Sequence, residues 1–287
     1  MIDLVEALRK IGETGSRSDQ RLAQVVLADM AFASRASIAE LAEKAGVSEP
    51  TVTRFCRALG CEGIRDFKFH LAQALAIGGV YLSGEAGTAD GASLDRICDG
   101  ALGAVERMRT GLDRIAVKAA AQCLAKASSV LAYGSGGTST IAAIETQHRL
   151  FRLGLPVAAY SDGQLQRMTA SVTERGSVVV AYSISGHARS VVEAVGIARD
   201  YGAKTIVVTA PGSALARLGD IAITFKIPEV DDLYKPSPSR YGMLVAVDIL
   251  AMETAIAMGR GVLERLRRIK QSLNTLKIND PSLPIGD

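Results

Sequence analysis

From Ser129 onward, short β-branched runs alternate with longer amphipathic stretches, and no other feature of this chain narrows its possible folds so far. The runs cover 130–133, 156–160, 177–182, 205–209 and 222–227. The helical stretches between and after them cover 139–153, 164–173, 188–201, 213–218 and 241–258. Strands joined through helices must run parallel, and runs this apolar cannot leave one face to water. The expected architecture is a three-layer α/β/α sandwich with a five-stranded parallel sheet. Its ligands belong outside the carboxyl ends of the strands, near a topological switch point. Aromatic residues make up only 5% of the chain and Trp is absent, so its core must be built from Ala, Val, Ile and Leu.

Residues 1–77 carry no such runs and read as all-helical, with helices over 2–11, 18–29, 38–45, 49–59 and 64–76. The third and fourth have the form of a helix-turn-helix. Ile38, Leu41, Ala42 and Ala45 share one helix face. Gly46 stands where a tight turn needs a positive φ, Ser48 suits an N-cap, and Pro50 suits a first turn. In the second helix Val52, Phe55 and Leu59 line the buried side. Thr51, Thr53, Arg54 and Arg57 are left to face a major groove, where Arg can pair with guanine edges or phosphates. Ser48 and Glu49 at the helix start and Lys68 just beyond complete the candidate DNA-binding set. An ordinary helical hairpin shares the periodicity; the turn, the cap and the Arg spacing together favour DNA. Ten Lys/Arg balance ten Asp/Glu in residues 1–78, which argues for placed contacts and against non-specific coating.

Residues 78–92 are glycine-rich without helical period and read as a linker, so the expected domains are 1–77 and 93–287. The second opens with helices over 93–111 and 115–127. The stretch 259–277 holds six Lys/Arg against Glu264 alone and reads as a solvated cationic helix end, with contact to DNA or a partner subunit as the alternative. Cys56, Cys61, Cys98 and Cys123 form no CxxC pair, and with His70, His148 and His187 they give no metal-site spacing. Reduced, structural thiols are expected, with no metal and no cofactor. Met1 to Ser16 has no apolar core of signal length, and no uninterrupted apolar run reaches the roughly 18 residues that span a bilayer. A cytoplasmic protein without a membrane partner is expected.

Two loops carry the candidate chemistry, each directly after a run and before a helix. One is Gly134-Ser135-Gly136-Gly137-Thr138-Ser139-Thr140, the other Ser183-Ile184-Ser185-Gly186-His187. Glycine lets backbone approach a ligand, and hydroxyls with helix-start N–H groups make an anion site. Neither loop continues into the Gly-Lys-Ser/Thr of a nucleotide-binding P-loop. Neither is a clean GxGxxG, and Asp162, the nearest candidate for a ribose-binding acid, opens a helix instead. A phosphate site built from both loops is the expectation.

These residues resemble the RpiR family of bacterial transcription regulators, a helix-turn-helix joined to a sugar isomerase (SIS) domain. The block Val47-Ser48-Glu49-Pro50-Thr51-Val52-Thr53-Arg54-Phe55-Cys56-Arg57 is similar to the family's DNA-binding signature, and so is Asp66-Phe67-Lys68 with Leu71. Ser139, the Gln147-His148 pair and Ser183-Ile184-Ser185-Gly186 are similar to its phosphosugar pattern. Within the family, Gln166-Arg167-Met168, Ala170-Ser171-Val172 and Ser239-Arg240 look most like the HexR-type repressors of glucose catabolism. The resemblance implies operator DNA as partner, a homodimer or homotetramer, and 2-keto-3-deoxy-6-phosphogluconate, a phosphorylated sugar acid, as effector. It places Arg54 and Arg57 on the operator and Ser139, Ser183 and Ser185 on the phosphate, with His187 beside that loop. One departure stands at Ala188, where such loops often have Thr; Thr138 or Ser190 could supply that hydroxyl. The carboxylate of a sugar acid also needs a cation. Arg240 is the first candidate, ahead of Lys235 and Arg167, against an ordinary surface salt bridge for Arg240.

The rival class is a sugar-phosphate isomerase, which needs a base to move a proton between adjacent carbons. Glu145, His148 and His187 could be recruited for that. A helix-turn-helix has no purpose in a plain isomerase, so a non-enzymatic regulator is expected. Another effector, such as N-acetylmuramic acid 6-phosphate, remains the alternative within the family.

Overall fold

The computed structural model describes residues 3–82, 93–228 and 237–274, which form two compact units. The first is helical: α1 (Leu4–Thr14), α2 (Arg17–Ala28), α3 (Met30–Arg35), α4 (Ile38–Ala45), α5 (Glu49–Ala58) and α6 (Ile64–Leu82). Its core gathers Leu8, Leu22, Leu41, Phe55, Phe67 and Leu71, all essentially inaccessible, and Phe55 meets Phe67 edge to face at 6.3 Å. Burying each such side chain contributes about 1.5–3 kcal/mol. Asp3, Ser16, Asp29 and Ser37 start α1 to α4 by accepting first-turn N–H groups, and Ser37 forms a capping box with Glu40.

Two features differ from the sequence reading. Helix α3 was not anticipated: Asp29 both ends α2 and caps α3, and six residues are too few to display a period. Helix α6 continues through Gly78 and Gly79 to Leu82, inside the segment read as linker. Glycine weakens a helix interior by roughly 1 kcal/mol, which does not stop one already formed. Residues 83–92 of that segment lie outside the described residues.

The second unit runs α7 (Ser93–Gly111), α8 (Arg114–Ala125), β1 (Ser129–Gly134), α9 (Gly137–Leu150), a 3-10 turn over Phe151–Leu153, β2 (Val157–Tyr160), α10 (Gly163–Ala170), β3 (Ser177–Ser183), α11 (Arg189–Asp200), β4 (Lys204–Thr209), α12 (Ala214–Leu218), β5 (Ile221–Thr224), α13 (Ser239–Met258) and α14 (Gly261–Asn274). The five strands are all parallel in the order β2-β1-β3-β4-β5. Val178, Val180 and Tyr182 of β3 pack with α7, α8, α9 and α13; Val179 and Ala181 pack with α10, α11 and α12. Alternate residues thus enter two different cores, and β3 is buried along its whole length. This is the three-layer α/β/α sandwich that the alternation predicts.

Helix α13 is long and apolar enough, at a mean hydropathy of 1.6, to cross a membrane by length and composition alone. Here it packs on α7, α8 and α9, burying Met243, Val247 and Leu250, and its Asp248 pairs with Arg149 at 3.2 Å. Asp248 and Glu253 interrupt its apolar run.

Candidate nucleic-acid interface and effector site

In the helical unit, α4 ends at Gly46, whose φ of 61° turns the chain toward α5. Val52, Phe55 and Cys56 point inward, and burial pushes the Cys56 thiol up to about 12, as expected of an inert structural cysteine. Arg54 and Arg57 are exposed and make no ion pair among the described residues. With Ile38, Glu49, Pro50 and Thr53 they line one open depression. The structure therefore brings Glu49, Thr53, Arg54 and Arg57 together on one face.

Ser48 occupies the N-cap position of α5 without capping it: its hydroxyl lies 2.9 Å from that of Thr51, so the first-turn N–H groups have no side-chain acceptor. Pro50 has no N–H and the Thr51 N–H goes to the Ser48 carbonyl at 2.9 Å, so the Glu49 N–H is the first-turn donor left for a DNA phosphate among the described residues. Thr53 donates its hydroxyl to the Glu49 carbonyl at 3.3 Å. Lys68 differs from its companions. Its Nζ lies 3.3 Å from the Arg35 carbonyl at the end of α3, so it already has a structural partner on another helix.

In the second unit the strand order reverses between β1 and β3, and the two candidate loops leave those neighbouring strands. Gly134 pairs with Tyr182, so the loops start side by side. Helices α10 and α12 are capped by Asp162 and Ser213, whereas α9 and α11 begin at Gly136 and Ala188 without a side-chain cap. The two helices that follow the candidate loops therefore present open N–H groups.

Ser139 sits in the first turn of α9 at 6% exposure, and its hydroxyl makes no hydrogen bond among the described residues. Thr138 precedes it, half-buried. Ser183, nearly inaccessible, accepts the Gly186 N–H at 3.0 Å, and Ser185 accepts the His187 N–H at 3.3 Å. Each serine keeps its hydroxyl proton to donate elsewhere. His187 Nδ1 lies 2.7 Å from the Ser185 carbonyl, which can only accept, so Nδ1 carries a proton. Gly186 (φ 70°) is pressed so closely on the next loop that a Cβ there would fall 2.1 Å from Ser213 Oγ. Behind this loop, the Tyr182 hydroxyl is buried 2.5 Å from Thr146 Oγ1, and burial raises its pKa.

The loops also gather residues outside the expected set. Ser135 Oγ lies 3.2 Å from Ser190 Oγ and 3.3 Å from Gln166 Nε2. Ser190 had stood only as a substitute for the hydroxyl missing at Ala188, and Gln166 only within a family pattern. The signal that could have found Gln166 is a polar residue on the apolar side of a short helix.

For the carboxylate, Arg240 lies in the first turn of α13, exposed. Gly242, in the first turn of α13, packs on Ile227 and Phe225 just past the carboxyl end of β5, so α13 starts at that end of the sheet. Arg167 is instead tied to Glu193, which also holds Arg189 at 2.7 Å. Lys235 lies outside the described residues. The basic stretch forms α14, and it is not simply solvated: Arg265 donates to the Leu153 carbonyl at 2.6 Å, and Arg267 and Arg268 pair with Glu264. Those two guanidinium groups hold the Glu264 carboxyl down at about 2.

Residues 2–78 match the family model for the helix-turn-helix domain of the rpiR family, and residues 123–253 match that of the SIS domain. The HTH-type transcriptional regulator HexR of Escherichia coli is 33% identical over 288 residues, covering 100% of this chain and 99% of that protein. HexR of Pseudomonas aeruginosa is 35% identical over 95% of this chain and 96% of its own length. The chain belongs to the RpiR family. It is built as a HexR/RpiR-type transcriptional regulator, with a helix-turn-helix followed by a SIS domain. The bifunctional protein glk of Burkholderia thailandensis is also 33% identical over 88% of this RpiR-family chain, which spans 39% of that protein. Among solved structures, Vibrio vulnificus NanR complexed with ManNAc-6P superposes with a TM-score of 0.61 at 24% identity, covering 96% of this chain and all of that one. At that identity the likeness speaks for the fold.

Proposed function

We propose that this RpiR-family regulator is a non-enzymatic repressor of sugar catabolism whose operator affinity is set by a phosphorylated sugar acid, with 2-keto-3-deoxy-6-phosphogluconate as the effector. The observation that carries the reading is the pair of loops at the β1/β3 reversal. Two helices without a side-chain cap start there, and the hydroxyls of Ser139, Ser183 and Ser185 in the same two segments suit one phosphate. Thr138 and His187 flank it, and Arg240 is the cation assigned to the carboxylate. The likeness to the two HexR proteins favours the keto-deoxy acid over other sugar phosphates.

In the DNA-bound state Arg54 and Arg57 read or clamp the major groove, with Ser48, Glu49, Thr51 and Thr53 at the helix start and Lys68 steadying α3. A homodimer would place two α5 helices on a pseudo-palindromic operator, with half-sites a whole number of helical turns apart. The exposed side chains Ile141 and Ile144 on α9, and Met252 and Ile256 on α13, offer apolar surface for pairing. Effector binding lowers operator affinity by a coupling free energy, and the operator lowers effector affinity by the same factor.

Calorimetric titration of the full chain tests this. We expect saturable binding of 2-keto-3-deoxy-6-phosphogluconate, release of operator DNA, and no turnover of the ligand. Preference for N-acetylmannosamine 6-phosphate or glucose 6-phosphate would move the regulator to another pathway. Conversion of any of these sugar phosphates would turn the reading toward an isomerase.

A further inference from the structure

Beside the phosphate loops lies a corner that the phosphate does not need. Gln166 on α10 is wholly buried, and its Nε2 faces three acceptors: the Tyr160 carbonyl at 2.9 Å, the Gly134 carbonyl at 3.3 Å and Ser135 Oγ at 3.3 Å. An amide nitrogen has two protons, so this donor is over-subscribed. Its Oε1 is buried without a partner. Turning the amide over would set that oxygen against two carbonyl oxygens, so the orientation is fixed. Ser135 Oγ also approaches Ser190 Oγ at 3.2 Å and the Ser161 carbonyl at 3.4 Å. Helices α10 and α11 close tightly here: a Cβ on Gly163 would fall 2.8 Å from that of Ser190.

The hydrogen-bond inventory is unequal. Three backbone carbonyls, two serine hydroxyl oxygens and the Gln166 amide oxygen accept; two amide protons, two serine hydroxyl protons and the Thr140 hydroxyl, 3.4 Å from the Gly134 carbonyl, donate. A phosphate entering this corner would bring more acceptors. A hydroxyl group would bring the donor that is short. Ser135 and Ser190 are half-buried and within reach of a ligand, while Gln166 is sealed behind them.

We propose that Ser135 and Ser190 form a subsite for a hydroxyl on the carbon chain of the effector, and that Gln166 is the positioning residue that holds Ser135 in it. This rests on the phosphosugar reading and deepens it. The serine loops bind what all sugar phosphates share, and this corner selects for a hydroxylated chain.

The test is calorimetric titration of the full chain with 2-keto-3-deoxy-6-phosphogluconate and glucose 6-phosphate, with inorganic phosphate as a competing ligand. For Ser190→Ala we expect the affinity of the sugar phosphate that binds wild type to fall about five- to tenfold, with phosphate competition unchanged. Gln166→Leu should shift the same ratio in the same direction. Ser190→Ala leaves the buried amide in place and therefore decides the matter if Gln166→Leu fails to fold. Equal weakening of sugar phosphate and phosphate, or no change in either, overturns the inference alone. Wild-type protein that binds neither sugar phosphate overturns the phosphosugar reading and this subsite with it.

Discussion

The two units solve a similar problem with opposite materials. In the helical unit, α5 offers an uncapped start and exposed Arg54 and Arg57, long cations reaching into water. In the α/β unit, α9 and α11 offer uncapped starts too, but the groups beside them are short hydroxyls and glycines, with Ser139, Ser183 and Gly186 buried. A DNA phosphate is one of a long series and can be met by flexible charges at many places. A small anion must be met by groups fixed before it arrives. The first surface should respond strongly to salt; the second should depend on the exact placement of its groups.

The sharpest way to break this comparison is Gly186→Ala. Its positive φ costs a side chain about 1–2 kcal/mol and overpacking against Ser213 about 1–3 kcal/mol more. We expect the thermal transition of the α/β unit to fall by several degrees and sugar-phosphate binding to disappear. A variant that melts and binds like wild type would show the loop to be adaptable after all. Next in size is Arg54→Ala or Arg57→Ala, expected to weaken operator binding by about 1–3 kcal/mol in anisotropy titrations at fixed salt, with effector affinity untouched. If the residue meets a phosphate, the salt slope falls by about one as well.

Ser183→Ala should do the converse. It removes the hydroxyl proposed to meet the phosphate and the acceptor of the Gly186 N–H, so effector affinity should drop about tenfold while effector-free operator binding stays level. Loss of both activities in either variant would mean that the units are not separable in function.

The smallest effect is one of acid stability. Burial tends to raise the Asp220 carboxyl, but bonds from the Thr205 N–H and hydroxyl at 2.9 Å and from Lys204 at 3.3 Å outweigh it and hold the pKa below its ordinary value. A lowered folded-state value means stabilisation that is complete above about pH 4 and lost as pH falls through the folded pKa. Asp220→Asn should therefore melt lower than wild type near neutrality, by a degree or two, with the gap closing toward pH 3. A gap that widens in acid would mean the carboxylate is not the stabilising form.

The sheet was legible in the sequence because both faces of β3 are buried, which leaves an unbroken run from Ser177 to Ser183 and no ambiguity of period. Helix α3 was not, since its six residues bury only Met30 and Ala33 and its start is shared with the end of α2. The same contrast runs through the site. Ser139, Ser183 and Ser185 belong to glycine-containing segments that join a β-branched run to a helix, a pattern visible in one dimension. Ser135, Ser190 and Gln166 meet because β1 lies between β2 and β3, which brings α10 and the start of α11 to the loop after β1; Gln166 and Ser135 are 31 apart in the chain, Ser190 and Ser135 55. Lys68 shows the opposite failure. Its spacing after α5 suggested DNA, and only the fold shows the Arg35 carbonyl beneath it.

The reversal of strand order between β1 and β3 acts as a caliper. The loops that flank the expected phosphate spring from hydrogen-bonded neighbours, so their separation is tied to the inter-strand distance of about 4.8 Å and cannot widen without tearing the sheet. The jaw is thus of fixed gauge, whatever is attached to the phosphate. Accommodating a longer or differently decorated effector must fall to walls that the sheet does not dictate, α10 and the start of α13. Divergence of effector preference among chains of this build should accordingly be written in those two helices while the jaw stays as it is.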